Sequence, residues 1–232
     1  MIALMLVLAW YLGQLMLISM IRGEKESRGF RYRRKFTKAS LRILGVKLTL
    51  KGRPYSSHAL YVGNHRSLLD PLIQLNFIDA YVVAKAEISG YPLVGRGAHE
   101  TGVIFVKRES NKSRLGSREA IKELLQEGKS VLIYPEGTTS NLPTTQPFKI
   151  GSFDIATELN VPIVPVAIDY TDPENFWHGI PMMEFFMRKF SKKEIVASLS
   201  IGQPLDGKNA KEIMQAAREW IGFEIQANEN RI

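Results

Sequence analysis

The stretch Ala59-Leu60-Tyr61-Val62-Gly63-Asn64-His65-Arg66-Ser67-Leu68-Leu69-Asp70-Pro71 decides how the rest of the chain is read. Its first four residues form a short apolar run, the pattern of a strand covered on both faces. Gly63 and Asn64 end that run, and a histidine and an aspartate follow, five residues apart, at the start of a second apolar stretch. Open α/β sheets build their ligand sites at such carboxyl ends of strands. On a continuous helix five residues turn through about 500°, which leaves the two side chains on different faces. The pair meets only if the chain turns between them, and Gly63 before the histidine and Pro71 after the aspartate favour such a break. The alternative is a polar loop histidine beside an aspartate that caps a helix starting at Pro71.

Short apolar runs recur to either side of this stretch. Strands are expected at 47–51, 59–62, 80–84, 102–106, 131–134, 163–168 and 196–201, and helices at 72–77, 113–127, 151–159 and 210–226. The alternation predicts an α/β fold with a mostly parallel central sheet flanked by helices, preceded by an N-terminal membrane-anchoring helical segment. Prolines at 162 and 165 suggest an edge or irregular position for the strand that carries them. Residues 171–195 interrupt the alternation with Phe176, Trp177, Met182, Met183, Phe185, Phe186, Met187 and Phe190 among Arg188, Lys189, Lys192 and Lys193. They read as a core helix with exposed lysines, or as a membrane-contacting patch or a wall of an acyl pocket.

Residues 2–21 hold no charged side chain, and at 1.5 Å per residue a helix there reaches about 30 Å, the thickness of a hydrocarbon core. No basic n-region or small-x-small cleavage site accompanies it, so an uncleaved anchor is expected, spanning or steeply embedded. The formal charge of +8 is local: residues 22–53 hold twelve Lys/Arg against two Glu, a net +10, and the remainder is at −2. A basic block behind an apolar segment suits anionic lipid head groups and places the bulk of the chain on the cytoplasmic face of a membrane. A second helix over 30–44 is read as interfacial, or as packed on the domain with a solvated basic face. The chain thus divides into 1–44, membrane anchor and basic interfacial helix, and a domain at 45–232. No aromatic interleaving outside the membrane-proximal block marks a base platform, so no nucleic-acid partner is expected.

With 232 residues the chain has one moderate domain plus an appendage, and it has no cysteine. That excludes disulfides, thiolate metal sites and a cysteine nucleophile. None of the four histidines stands in an H-E-x-x-H pattern, and no metal is expected. There is no G-x-S-x-G elbow and no G-x-x-x-x-G-K-[ST] loop, and Gly95-Arg96-Gly97 lacks the third glycine of a dinucleotide fingerprint. What is left is a histidine with a nearby carboxylate, the equipment for general base catalysis on a hydroxyl that belongs to the substrate. A non-catalytic membrane-surface binder is the competing class, in which the anchor and basic block do the work.

Three further stretches end a strand in polar or glycine residues: Gly102 to Arg108, Tyr134-Pro135-Glu136-Gly137-Thr138-Thr139-Ser140, and Val161 to Ile168. In order and spacing, Asn64-His65 with Asp70, the Gly102 run, Pro135-Glu136-Gly137-Thr138, Phe148-Lys149-x-Gly151 and the Val161 strand resemble the blocks of the glycerolipid acyltransferase family. That family includes the 1-acylglycerol-3-phosphate (lysophosphatidate) acyltransferases, and the resemblance covers about residues 45–205.

The resemblance implies that His65 is the general base that deprotonates the free hydroxyl of a lysolipid and that Asp70 holds the imidazole. It further implies that Arg108 holds the acceptor's phosphate, that Glu136 and Gly137 shape the acceptor site with Asn64 and Thr138, and that Lys149 adds a charge. Membrane lipids and a lysolipid acceptor are the implied partners. Acyl-CoA or acyl-carrier protein serves as co-substrate, and no cofactor is implied. Where phosphatidate-forming members often carry arginine after Glu-Gly-Thr, this chain has Thr139, which lacks a bidentate phosphate grip. A different lysolipid, lyso-ornithine lipid or a lysophospholipid, is therefore the alternative acceptor.

Overall fold

A computed structural model describes residues 2–22, 26–90, 100–106, 111–190 and 194–229. Two helices, α1 (Ile2–Arg22) and α2 (Glu26–Ile43), precede the sheet. In chain order there follow β1 (Val46–Lys51), β2 (Leu60–Gly63), α3 (Asp70–Gln74), β3 (Tyr81–Lys85), β4 (Val103–Val106), α4 (Asn111–Gln126) and β5 (Val131–Ile133). The chain continues through α5 (Gly151–Glu158), β6 (Ile163–Tyr170), α6 (Met182–Phe190), β7 (Ile195–Ile201) and α7 (Ala210–Glu229). Each of the seven expected strands is present.

The strands join in one sheet of order β1-β7-β6-β2-β5-β3-β4. All neighbours run parallel except β6 and β7, which are antiparallel. Helices and loops cover both faces, which is why β2 and β6 read as unbroken apolar runs. Tyr61 of β2 packs into one core with Leu41 and Leu44 beside α2, Leu69 and Ile73 around α3, and Phe185 of α6. Leu60 and Val62 turn the other way, into a core with Leu124 of α4, Phe153 of α5 and Ile221 of α7. Removing each such large side chain from water contributes about 1.5–3 kcal/mol.

Pro165 corrects one expectation. Its strand lies inside the sheet, between β2 and β7. The Pro165 carbonyl accepts from Gly202 N at 2.9 Å, just past the end of β7. A residue's N–H and C=O point to the same side of a strand, so the missing amide falls where β7 leaves the sheet, and the β2 ladder is intact.

The basic helix α2 is packed on the sheet with its charged face outward. Phe30, Tyr32, Arg33, Thr37 and Leu41 are buried, while Arg31, Arg34, Lys35, Lys38 and Arg42 are exposed. Arg33 reaches under the sheet to the carbonyls of Ile78, Ala80 and Thr101, and burial lowers its pKa to about 10. In the 171–190 excursion, Phe185 is fully buried, and Phe176, Trp177, Ile180 and Phe186 pack against the same core. Lys189 is not the exposed lysine expected: it is 2% exposed, with its ammonium on the Glu174 carbonyl and Asn175 Oδ1. Lys192 and Lys193 lie outside the described residues.

Although α1 is a continuous helix of 21 residues, no helix among the described residues is long and apolar enough to cross a membrane.

Candidate active site

The site is built where β2 ends. After Gly63 the chain folds into a tight turn, Asp70 N donating to Ser67 O at 3.2 Å, and this turn solves the spacing problem of the sequence. It brings His65 Nδ1 to 2.7 Å from Asp70 Oδ2. The same oxygen accepts Arg66 N at 2.7 Å and Ser67 N at 2.8 Å. Asp70 Oδ1 accepts the Tyr170 hydroxyl at 2.7 Å from the end of β6.

Four donors converge on a carboxylate of zero exposure, which is how a charge is tolerated inside a protein. The helix-cap reading of Asp70 fails on the same contacts: its acceptors face backward into the turn, and α3 begins with no side-chain cap. Ser67 Oγ instead takes the Leu69 amide at 3.3 Å.

A carboxylate only accepts, so the hydrogen between the pair belongs to Nδ1 and the lone pair of the neutral ring to Nε2. The His65 side chain is 17% exposed, open to a reactant, while its partner is sealed. One ring face lies on Tyr134, with centroids 4.1 Å apart and planes 16° from parallel.

Glu136 staples the loop after β5 to this turn. Its Oε1 accepts His65 N at 2.8 Å and its Oε2 accepts Gln146 N at 2.7 Å. Ser140 N returns a bond to His65 O at 2.8 Å. Burial raises the Glu136 pKa above the usual carboxylate value, and the two backbone N–H groups oppose that shift. Gly137 turns the loop at φ 77°, where a β-carbon would also collide with Lys149 Nζ. The glycine and the lysine are thus one packing unit, with the Lys149 amide on Pro135 O at 3.0 Å.

Arg66 is a third fastener. It is 3% exposed, with Nε 3.4 Å from Asp169 Oδ1, Nη2 3.1 Å from Pro143 O and its guanidinium 4.7 Å above the Phe176 ring. Its own carbonyl accepts Trp177 N at 2.7 Å, tying the 171–180 segment to the turn.

The structure therefore brings His65, Asp70, Glu136, Gly137 and Lys149 together. Thr138 is exposed beside them. Asn64 is placed differently from its expected contact with substrate: it is 1% exposed, and both ends of its amide bond the backbone of Ile168 at 2.8 Å, locking β2 to β6. Arg108 lies outside the described residues. Tyr170, Tyr134 and Gln74 were missed in the sequence. A tyrosine closing a buried strand was the available signal, since a buried hydroxyl needs a partner.

An acyltransferase family model matches residues 46–169, more than half of the chain. The chain belongs to the acyltransferase family. Among the relatives of this chain, the lyso-ornithine lipid O-acyltransferase of Rhodobacter capsulatus is 27% identical over 177 residues, 71% of this chain and 63% of that protein. The 1-acyl-sn-glycerol-3-phosphate acyltransferase of Borreliella burgdorferi is 34% identical over 140 residues, 58% of this chain and 56% of that protein. The matched stretch is thus less than two thirds of either relative's length. The crystal structure of the 1-acyl-sn-glycerophosphate acyltransferase PlsC from Thermotoga maritima superposes with a TM-score of 0.74 over 98% of this chain and 95% of that one. At 22% identity the likeness is one of fold.

Proposed function

We propose that the chain transfers an acyl group from a thioester donor, acyl-CoA or acyl-carrier protein, to the free hydroxyl of a lysolipid, with 1-acylglycerol-3-phosphate as acceptor and phosphatidate as product. The observation that carries this reading is the buried Asp70 carboxylate on His65 Nδ1, inside the segment the family model matches. With Nδ1 occupied, Nε2 accepts the acceptor's hydroxyl proton as the oxygen attacks the thioester carbonyl. The carbon–sulfur bond then breaks, and the imidazolium returns a proton to the departing thiolate. Positioned proton transfer of this kind supplies about 10²- to 10⁴-fold. The donor and acceptor must be held in line for the rest.

The acceptor has a second reading. Thr139 is 8% exposed and is not a guanidinium that could grip a phosphate bidentately, and a lyso-ornithine lipid acyltransferase is among the relatives. A panel of lysophosphatidate, lyso-ornithine lipid and lysophospholipids, each offered with one labelled acyl-CoA, decides it. Labelled phosphatidate is the expected product. Product from lyso-ornithine lipid alone moves the acceptor to the second reading, and no product from any acceptor sinks acyl transfer.

Association with the cytoplasmic face of a membrane is part of this proposal. Leu6, Trp10, Leu17 and Ile21 are each at least 60% exposed on α1. At 100° per residue they fall within about 60° of one another, an apolar stripe of the sort that beds into a lipid interface. The exposed cations of α2 favour anionic head groups.

A further inference from the structure

Among the contacts around His65, the stack on Tyr134 is the one with no part in the roles assigned so far. Tyr134 follows β5, and its ring covers one face of the imidazole with centroids 4.1 Å apart. Its hydroxyl donates to Gln74 Oε1 at 2.8 Å. Gln74, in α3, has zero exposure, and its Nε2 has no hydrogen-bond partner among the described residues. A buried amide with one end unsatisfied is costly. The end that is satisfied is the one that holds the tyrosine. Gly63 leaves the room: a β-carbon there would come within 3.3 Å of Gln74 Nε2 and 3.5 Å of Tyr134 Cε1.

We propose that Tyr134, anchored through its hydroxyl by Gln74, is a positioning residue that fixes the plane of the His65 ring and stabilises its imidazolium form. Asp70 holds the ring at one atom, Nδ1, within the tilt a hydrogen bond tolerates, and a parallel aromatic face opposes that tilt. When His65 takes the acceptor's proton, the ring becomes a cation over a tyrosine face, an attraction of the cation–π kind. The platform thus favours the charged intermediate over the neutral resting base. The other charged or titratable groups around His65 are Asp70 from α3, Glu136 from the loop after β5, Lys149, whose Nζ lies against Gly137 of that loop, Tyr170 from β6 acting through Asp70, and Arg66, which is turned onto Asp169. Burial pushes the Tyr134 hydroxyl well above its usual value, so it stays a neutral donor.

The inference rests on the acyl-transfer reading, and the test separates the two. Steady-state kinetics against pH are measured on the full chain in lipid vesicles, with labelled acyl-CoA and the panel acceptor that the wild type turns over fastest. Tyr134→Leu is expected to lose about tenfold or more in kcat with KM within about twofold. The acidic limb of its profile should move to lower pH by about half a unit, because a less stabilised imidazolium releases its proton more readily. Tyr134→Phe keeps the ring and should leave the limb in place, with a loss of only a few-fold in kcat. An unmoved limb and unchanged kcat in Tyr134→Leu overturn the platform while leaving acyl transfer standing. A wild type without turnover overturns both. If Tyr134→Leu does not fold, Tyr134→Phe and Gln74→Met form a cycle read in kcat. A double variant no worse than its worse single supports the anchor, and additive losses, or none, overturn it.

Discussion

Two buried carboxylates stand on neighbouring loops of this site, and they are spent differently. Asp70, in the turn after β2, accepts two backbone amides, an imidazole and a phenol. Glu136, in the loop after β5, accepts backbone amides alone, one from the turn and one from Gln146. The first carboxylate addresses a side chain that can move a proton. The second holds the two loops in register so that this side chain is where it must be. Asp70 has no exposure and Glu136 has 5%, so burial does not distinguish a chemical carboxylate from a scaffolding one; the identity of the donors does.

The comparison is sharpened by removing one charge at a time. Asp70→Asn should cost the most, about 10²-fold or more in kcat, because an amide cannot accept from all four donors and leaves the histidine badly oriented. Donor KM should change far less than kcat; equal losses in both would make Asp70 a structural group like Glu136. Glu136→Gln comes next. Its amide nitrogen must face either His65 N–H or Gln146 N–H, and the unmatched donor should cost about 1–3 kcal/mol of stability by denaturant titration. Activity should fall about tenfold at most, tracking the displaced turn. A loss as large as that of Asp70→Asn would erase the distinction.

Tyr170→Phe tests the far side of the dyad. It removes one donor of four from Asp70, and a hydrogen bond to a charged group contributes about 1.5–3 kcal/mol. Stability should fall within that range with kcat reduced only several-fold, since three donors and the histidine contact persist. The smallest effect is in pH. The Glu136 pKa is raised on folding, so between its ordinary value and its raised value the folded chain binds more protons than the unfolded one. Stability therefore falls as pH rises through that window, and the contribution is complete only below it. Unfolding of the wild type and Glu136→Gln followed across the acidic range should show this slope only in the wild type; a matching slope in both would place its origin elsewhere.

Much of the fold was legible because each strand carries its own apolar signature. The runs at 59–62, 131–134 and 163–168 announced buried parallel strands, and β2, β5 and β6 are those strands at the centre of the sheet. Pro165 misled because proline usually marks an edge; the place where β7 stops beside it is not encoded near residue 165. Lys189 misled for a similar reason, since the Glu174 carbonyl and Asn175 that hold it lie 15 and 14 residues away.

The candidate site was half legible. His65 and Asp70 stand close in sequence, but whether they meet depends on the backbone turn at Ser67, which left the dyad and the helix cap as rival readings. Tyr170 is 100 residues from Asp70 and Gln74 is 60 from Tyr134. Contacts of that range are made by the order of strands in the sheet, and no local pattern in the chain reports them. Asn64 shows the converse: a residue in the middle of the motif whose amide is consumed in joining β2 to β6.

His65, held by Asp70, is the proposed base for acyl transfer to a lysolipid hydroxyl. Its most direct test is transfer of a labelled acyl group from acyl-CoA to lysophosphatidate in vesicles carrying the full chain, wild type beside His65→Ala. Labelled phosphatidate from the wild type, with a rate about 10²- to 10⁴-fold lower in the variant, is the predicted result. Equal rates from the two proteins would contradict it.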